Sequence, residues 1–173
     1  MIIGHLPLGY LSTKLIAAKW LHQSVNKRAF MVAGILGSIT PDLDMFYFYL
    51  IDNCQHHHHT YWTHTPLYWI LILGLLFLVL RYIKIKCLSY LGIYGLNIFI
   101  HLVADTFVGD IWWLSPIINE PFSFFTVPSA YKTWWLNFVL HWSFLLEITI
   151  MLSALYLLLR SRCKRIFVYE SHT

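Results

Sequence analysis

Charge is what this chain has least of. Only 12% of its 173 residues are Asp, Glu, Lys or Arg, about half the roughly 25% usual in a soluble domain. That shortage argues against an ordinary water-facing surface. No nucleic-acid-binding module is indicated either, because no basic stretch is interleaved with exposed aromatics. Cysteine is scarce as well. Cys54, Cys87 and Cys163 are odd in number, far apart and in no CxxC arrangement, so neither a disulfide framework nor a thiolate zinc site is indicated. Early basic residues followed by an apolar core and a small-residue cleavage site are also missing, and no cleaved signal peptide is expected. There is no internal repeat and no low-complexity tract beyond the run His56 to His59.

Apolar length stands in place of charge. Hydrophobic residues make up 58% of the chain, and its mean hydropathy is +0.61. A helix needs about 20 largely apolar residues to cross a bilayer, with about 17 as a lower limit. Three segments meet that requirement: Pro66 to Ile83, Leu88 to Asp105, and Trp134 to Leu159. Two shorter stretches, Leu6 to His22 and Arg28 to Ile39, read as helices that only partly traverse. The second of these is rich in small residues (Ala33, Gly34, Gly37, Ser38) that favour close helix packing, and Pro41 stops or kinks it. The expected fold class is all-α: an integral membrane helical bundle of three spans plus one or two shorter N-terminal helices. It is expected to form a single domain over residues 1–173.

The bases orient this bundle. Lys19, Lys27 and Arg28 lie between the first two helical segments, and Arg81, Lys84 and Lys86 fill the turn after the first span. Arg160, Arg162, Lys164 and Arg165 follow the last span. If successive helices alternate in direction, all three clusters fall on one side, which the positive-inside rule makes cytoplasmic. A multi-pass protein of the plasma (inner) membrane is expected, with residues 160–173 as a basic cytoplasmic tail and the lipid bilayer as its surroundings. The nearly neutral, aromatic loop from Thr106 to Thr133 suits an interfacial cap over the opposite helix ends.

The same topology gathers the ionisable residues that remain. Asp42 and Asp44 end the second segment in SITPDLD. His56 to His59 and His64 precede the first span, His101 and Asp105 close the second in HLVAD, His141 opens the third, and His5 begins the chain. All of these fall on the face opposite the basic clusters. His101 and Asp105 are one helical turn apart and project from the same face, with Asn97 one turn deeper. Imidazole and carboxylate groups are good ligands for Zn²⁺ and similar divalent ions, and ionisable groups at membrane depth are costly and usually functional. In HTYWTHTP, Thr65 can cap the helix that Pro66 begins, which would fix His64 just above the helix end. Of the four-histidine run, one or two members are expected to coordinate. Glu147, deep in an apolar run, reads either as a partnered intramembrane acid or as part of the bundle lining.

The ordered strings resemble the YdjM-type membrane-bound metal-dependent hydrolases. The resemblance rests on the early His5, the PDLD string with Asp42 and Asp44, the HxxxxHT string with His59 and His64, and HLxxD followed by Thr with His101, Asp105 and Thr106. It covers most of the chain to about residue 116. That family is similar, distantly, to zinc-dependent phospholipase C and P1-type nucleases. The resemblance implies that His5, Asp42, His64, His101 and Asp105 are metal ligands, with Asp44 and His59 as ligands or as partners that orient them. Thr60 stands where the family often has Arg. His141 and Glu147 do not reproduce the His and Glu that complete the phospholipase C cluster, so one or two metals are expected in place of three.

The function expected is that of a membrane-bound hydrolase using a divalent metal, zinc or alternatively manganese. Its substrate would be a phosphoester or ester of an amphipathic or lipid molecule at the extracytoplasmic face. Asp44 or His59 would be the general base if not itself a ligand. The rival expectation is a metal-binding or metal-transporting membrane protein without hydrolase activity, which for transport needs a polar path across the bundle.

Overall fold

The computed structural model describes residues 3–85 and 87–170, with only the backbone for 134 and 162–170. Lys86, His172 and the side chains of Arg162, Lys164 and Arg165, which the sequence reading placed in basic clusters or the tail, lie outside the described residues. The described residues are helical apart from loops, with a single isolated antiparallel bridge between Ile111 and Phe122. Helix α1 spans His5–Trp20 and α2 spans Lys27–Ile39. A 3₁₀ turn, Pro41–Leu43, leads into α3, Asp44–Leu50. Two further 3₁₀ turns, His58–Thr60 and Trp62–His64, precede α4, Pro66–Tyr82. Then follow α5, Leu88–Thr106, the short α6, Trp134–Val139, and α7, Ser143–Glu170.

Local chemistry sets these boundaries. Asn26 caps α2, its side-chain oxygen accepting the N–H groups of Arg28 and Ala29 at 2.9 and 3.1 Å. Pro41 ends α2, and the chain resumes as α3 at an angle of 55°. Helix α4 closes with Lys84 in the left-handed region (φ 57°), the Lys84 N–H bonding the Arg81 carbonyl and the Ile85 N–H the Leu80 carbonyl. Thr65 does occupy the N-cap position of α4, but its hydroxyl makes no cap bond and turns back toward the Tyr61 carbonyl at 3.5 Å.

The spans differ from the sequence expectation. Helix α5 and the Ser143–Ser161 stretch of α7 are long and apolar enough to cross a membrane, and the bent pair α2–α3 makes a third if it counts as one span. Helix α4 is apolar and has 17 residues, about 26 Å of rise, at the lower limit for crossing; it ends at Tyr82, next to the expected Ile83 and just before the left-handed turn at Lys84. The expected span from Trp134 to Leu159 is broken at 140–142, where His141 Nδ1 lies 2.8 Å from the Ser143 hydroxyl at the start of α7.

Helix α2 packs between α1 and α5, α7 packs on α1, and α4 packs on α5. Small residues let the three central helices approach closely. A methyl group at Gly34 would run into the Thr13 side chain of α1, and one at Gly37 would run into the Tyr94 carbonyl of α5. The outer helices turn large apolar side chains outward, such as Leu71 and Leu75 of α4 and Leu145 and Tyr156 of α7. On a water-facing surface so much apolar area would drive association; in a bilayer it is the matching solvent face.

Candidate metal centre

Five separate segments deliver side chains to one point at the C-terminal end of α5. His101 and Asp105 come from its last two turns. His5 opens α1, which runs against α5 in the opposite direction, and Asp42 sits in the 3₁₀ turn that Pro41 forces after α2. His59 and His64 come from the two 3₁₀ turns before α4. Every metal-ligand candidate from the sequence is therefore in this cluster, and His59 joins it.

The donor atoms have the spacing of groups that share an ion. The His101 Nε2 atom lies 3.0 Å from Asp105 Oδ2 and 3.5 Å from Asp42 Oδ1. The His64 Nε2 atom lies 3.7 Å from Asp42 Oδ1 and 3.8 Å from Asp105 Oδ2. Ligands about 2.1 Å from a tetrahedral Zn²⁺ stand roughly 3.4 Å apart, and these four separations bracket that figure. On the other side of Asp105, His5 Nε2 is 3.0 Å from Oδ1, and the His5 ring stacks on that of His101 with centroids 3.6 Å apart. His59 Nε2 stands 4.0 Å from Asp105 Oδ2. Overlapping groups of three that could hold an ion are His5, His101 and Asp105, then Asp42, His64 and His101, then His58, His59 and His64.

What turns these rings is equally specific. His101 Nδ1 donates to the Ser38 carbonyl at 2.7 Å, His64 Nδ1 to Asp44 Oδ2 at 2.7 Å, and His59 Nδ1 lies 3.2 Å from the Asp110 carbonyl. Each contact holds one ring nitrogen and aims Nε2 inward, the pattern that fixes a metal-binding histidine. The buried Nε2 atoms of His64 and His101 make no hydrogen bond, and such atoms are rare without a partner. The donor set therefore fits a divalent ion. Asp44 is held in turn by the Thr63 hydroxyl. Gly109 leaves room for His59: a methyl there would come within 2.7 Å of the imidazole Cε1.

The electrostatics ask for positive charge. Burial disfavours the His64 imidazolium, yet the Asp42 and Asp44 carboxylates outweigh it and push the pKa up to about 9. His58 and His59 go the other way: burial holds His59 well below its ordinary value and, with the neighbouring His64, brings His58 to about 4. The cluster thus offers neutral imidazoles beside a point where carboxylates attract a cation. The Asp42 side chain is 36% exposed while those of His64, His101 and Asp105 are at most 1% exposed, so the centre opens at Asp42.

Other candidates fall elsewhere. His56 is exposed and tied to Asp52, and His22 is exposed and bonded to Ser24. His141 is bound to Ser143 next to Trp142. Glu147 is buried but accepts the backbone N–H groups of Ile3 and Gly4. Sequence reasoning missed Ser38 and Asp110, whose contribution is a backbone carbonyl that carries no residue-type signal. Thr63 was in principle visible, next to His64 in a polar string.

Fold and site together define a helical membrane protein with a buried histidine–aspartate cluster suited to a divalent cation. A family model described as YdjM inner membrane protein matches residues 1–166. The chain belongs to that family, an inner-membrane one, in keeping with the apolar helices α5 and α7. Neither a curated protein nor a solved structure matches it.

Proposed function

We propose that this protein is a membrane-bound metal-dependent hydrolase. The observation that carries the reading is the set of inward-facing Nε2 atoms of His64 and His101, unbonded and buried, opposite Asp42 and Asp105. A divalent ion, zinc by the nitrogen-and-oxygen donor set, would supply Lewis-acid polarisation of a scissile phosphoryl or acyl oxygen. His64, His101, Asp42 and Asp105 would hold it, with His5 on the far oxygen of Asp105 allowing a second ion. His59 is the residue to take a proton from an attacking water. Its burial keeps it neutral, its Nε2 faces Asp105, and the Asp110 carbonyl on Nδ1 stabilises the imidazolium that results. Asp44 lies on the outer side of His64, so it acts by orienting that ring and stabilising its charge.

An amphipathic substrate suits the surroundings. An apolar cleft of about 500 Å³ between α5 and α7 is lined by Leu96, Phe99, Val103 and Ile150 and reaches Ala104 and Val108 beside Asp105. With the basic residues on the other side of the bundle, the centre lies at the extracytoplasmic face. Transport has less support. Below His101 the polar stripe ends where Asn97 bonds Thr13 and the Ile93 carbonyl, and an apolar layer of Ala17, Phe30 and Ile93 follows.

The test is metal content and turnover of the detergent-purified full chain. One or two equivalents of zinc, with hydrolysis of a synthetic lipid phosphoester or ester that a chelator abolishes, is the expected result. Bound metal with no turnover of either ester class would leave a metal-binding protein and end the hydrolase reading.

A further inference from the structure

A carboxylate inside a membrane-spanning helix is costly, so its contacts explain its presence. Glu147 is 3% exposed and lies within the apolar Ser143–Ser161 stretch of α7. Its Oε2 accepts the backbone N–H of Ile3 at 2.7 Å and of Gly4 at 3.1 Å. Gly4 is the N-cap residue of α1 and has no side chain with which to cap it. Its N–H is one of the donors a helix start leaves without an intrahelical acceptor, and a negative charge there complements the helix dipole.

The next residue is His5, stacked on His101 with Nε2 3.0 Å from Asp105 Oδ1. Farther along, the same two helices are clasped again: Lys14 of α1 donates to the Leu157 carbonyl at 2.8 Å and the Ser161 hydroxyl at 2.6 Å. Helices α1 and α7 therefore run parallel, joined by an acid at the cluster end and a base at the other.

We propose that Glu147 is a positioning residue of the metal centre: through the N–H groups of Ile3 and Gly4 it fixes the start of α1 and holds the His5 imidazole against Asp105. This rests on the metal-centre reading above. It gives a role to a buried acid whose carboxylate accepts the N–H groups just before His5. It also explains why α7, which among the described residues supplies no member of the candidate ion-holding groups, has an acid at that depth.

The test uses two readouts on the full chain in detergent. The first is titration with Co²⁺ alone, following its visible absorption bands. The second is diethyl pyrocarbonate labelling of His5 by mass spectrometry, which needs no metal. Glu147→Ala is expected to lower Co²⁺ affinity about tenfold, the scale for losing a ligand-orienting contact. It is also expected to reproduce the spectrum of His5→Ala and to expose His5 to label, and the double variant should lose nothing beyond His5→Ala. Glu147→Gln keeps one acceptor oxygen and should recover part of the affinity, with intermediate labelling. Lys14→Met cuts the other clasp and should leave spectrum and labelling unchanged.

A wild-type spectrum with protected His5 in Glu147→Ala would overturn the proposal. So would losses that add in the double variant, or a Lys14→Met change equal to that of Glu147→Ala. If the unaltered protein binds no Co²⁺, the metal-centre reading fails and labelling alone decides the positioning. If Glu147→Ala does not accumulate, Glu147→Gln decides: intermediate labelling supports the proposal and wild-type protection refutes it.

Discussion

His56 and His59 stand three residues apart in an unbroken run of the same side chain, and they have opposite fates. The His56 side chain is 67% exposed, and its ring bonds Asp52 at 2.6 Å; the hydrogen bonds from His56 hold the Asp52 carboxyl down at about 2. His59 is 9% exposed, with Nδ1 at the Asp110 carbonyl and Nε2 facing Asp105. His64, five residues further on, is fully buried and held by Asp44. Residue type alone does not bring a histidine to the cluster. Burial, a backbone carbonyl on one ring nitrogen and carboxylates in front of the other do.

That contrast can be broken at graded strength. Replacing His101 and Asp105 together by Ala removes donors from the centre of the buried group, and bound zinc measured by elemental analysis should fall to background. Asp44→Asn leaves His5, Asp42, His64, His101 and Asp105 in the chain but weakens the hold on His64 Nδ1. Metal affinity should fall about 10- to 100-fold, read by competition with a chromogenic chelator. Gly109→Ala should cost less, about severalfold in affinity, because the new methyl must displace the His59 ring beside the centre while His64, His101, Asp42 and Asp105 stay put. His56→Ala should leave metal content and affinity unchanged. A loss there as large as that of Asp44→Asn would show that exposed and buried members of the run act together, and the contrast would fail.

Several parts of the molecule were legible from one dimension. The all-helical, membrane-embedded character follows from apolar runs too long for loops. His101 and Asp105 declared themselves as costly groups one turn apart in GLNIFIHLVAD. Convergence of His5, Asp42 and His64 on the same end followed from alternating helix direction. Span length was less legible. Pro66 to Ile83 reads as one apolar block, and the helix stops at its edge, at Tyr82, where the left-handed Lys84 turns the chain. The block from Trp134 looks continuous, yet His141 and Ser143 interrupt it. Those stops depend on local hydrogen bonds that hydropathy does not encode.

Amino-acid order alone sets the solvent and the inventory: an apolar chain that belongs in a bilayer, with its few acids and histidines gathered at one end of the helices. Periodicity and hydrophobicity suffice for that, because both are sums over local residues. Which nitrogen of the His101 and His59 imidazoles faces inward is a matter of helix packing, since Ser38 and Asp110 act through backbone carbonyls. That packing also ties Glu147 to Ile3 and Gly4 across more than a hundred residues of chain. Contacts of that kind depend on how helices stack, here with Gly34 and Gly37 letting α1, α2 and α5 approach closely and α7 lying on α1.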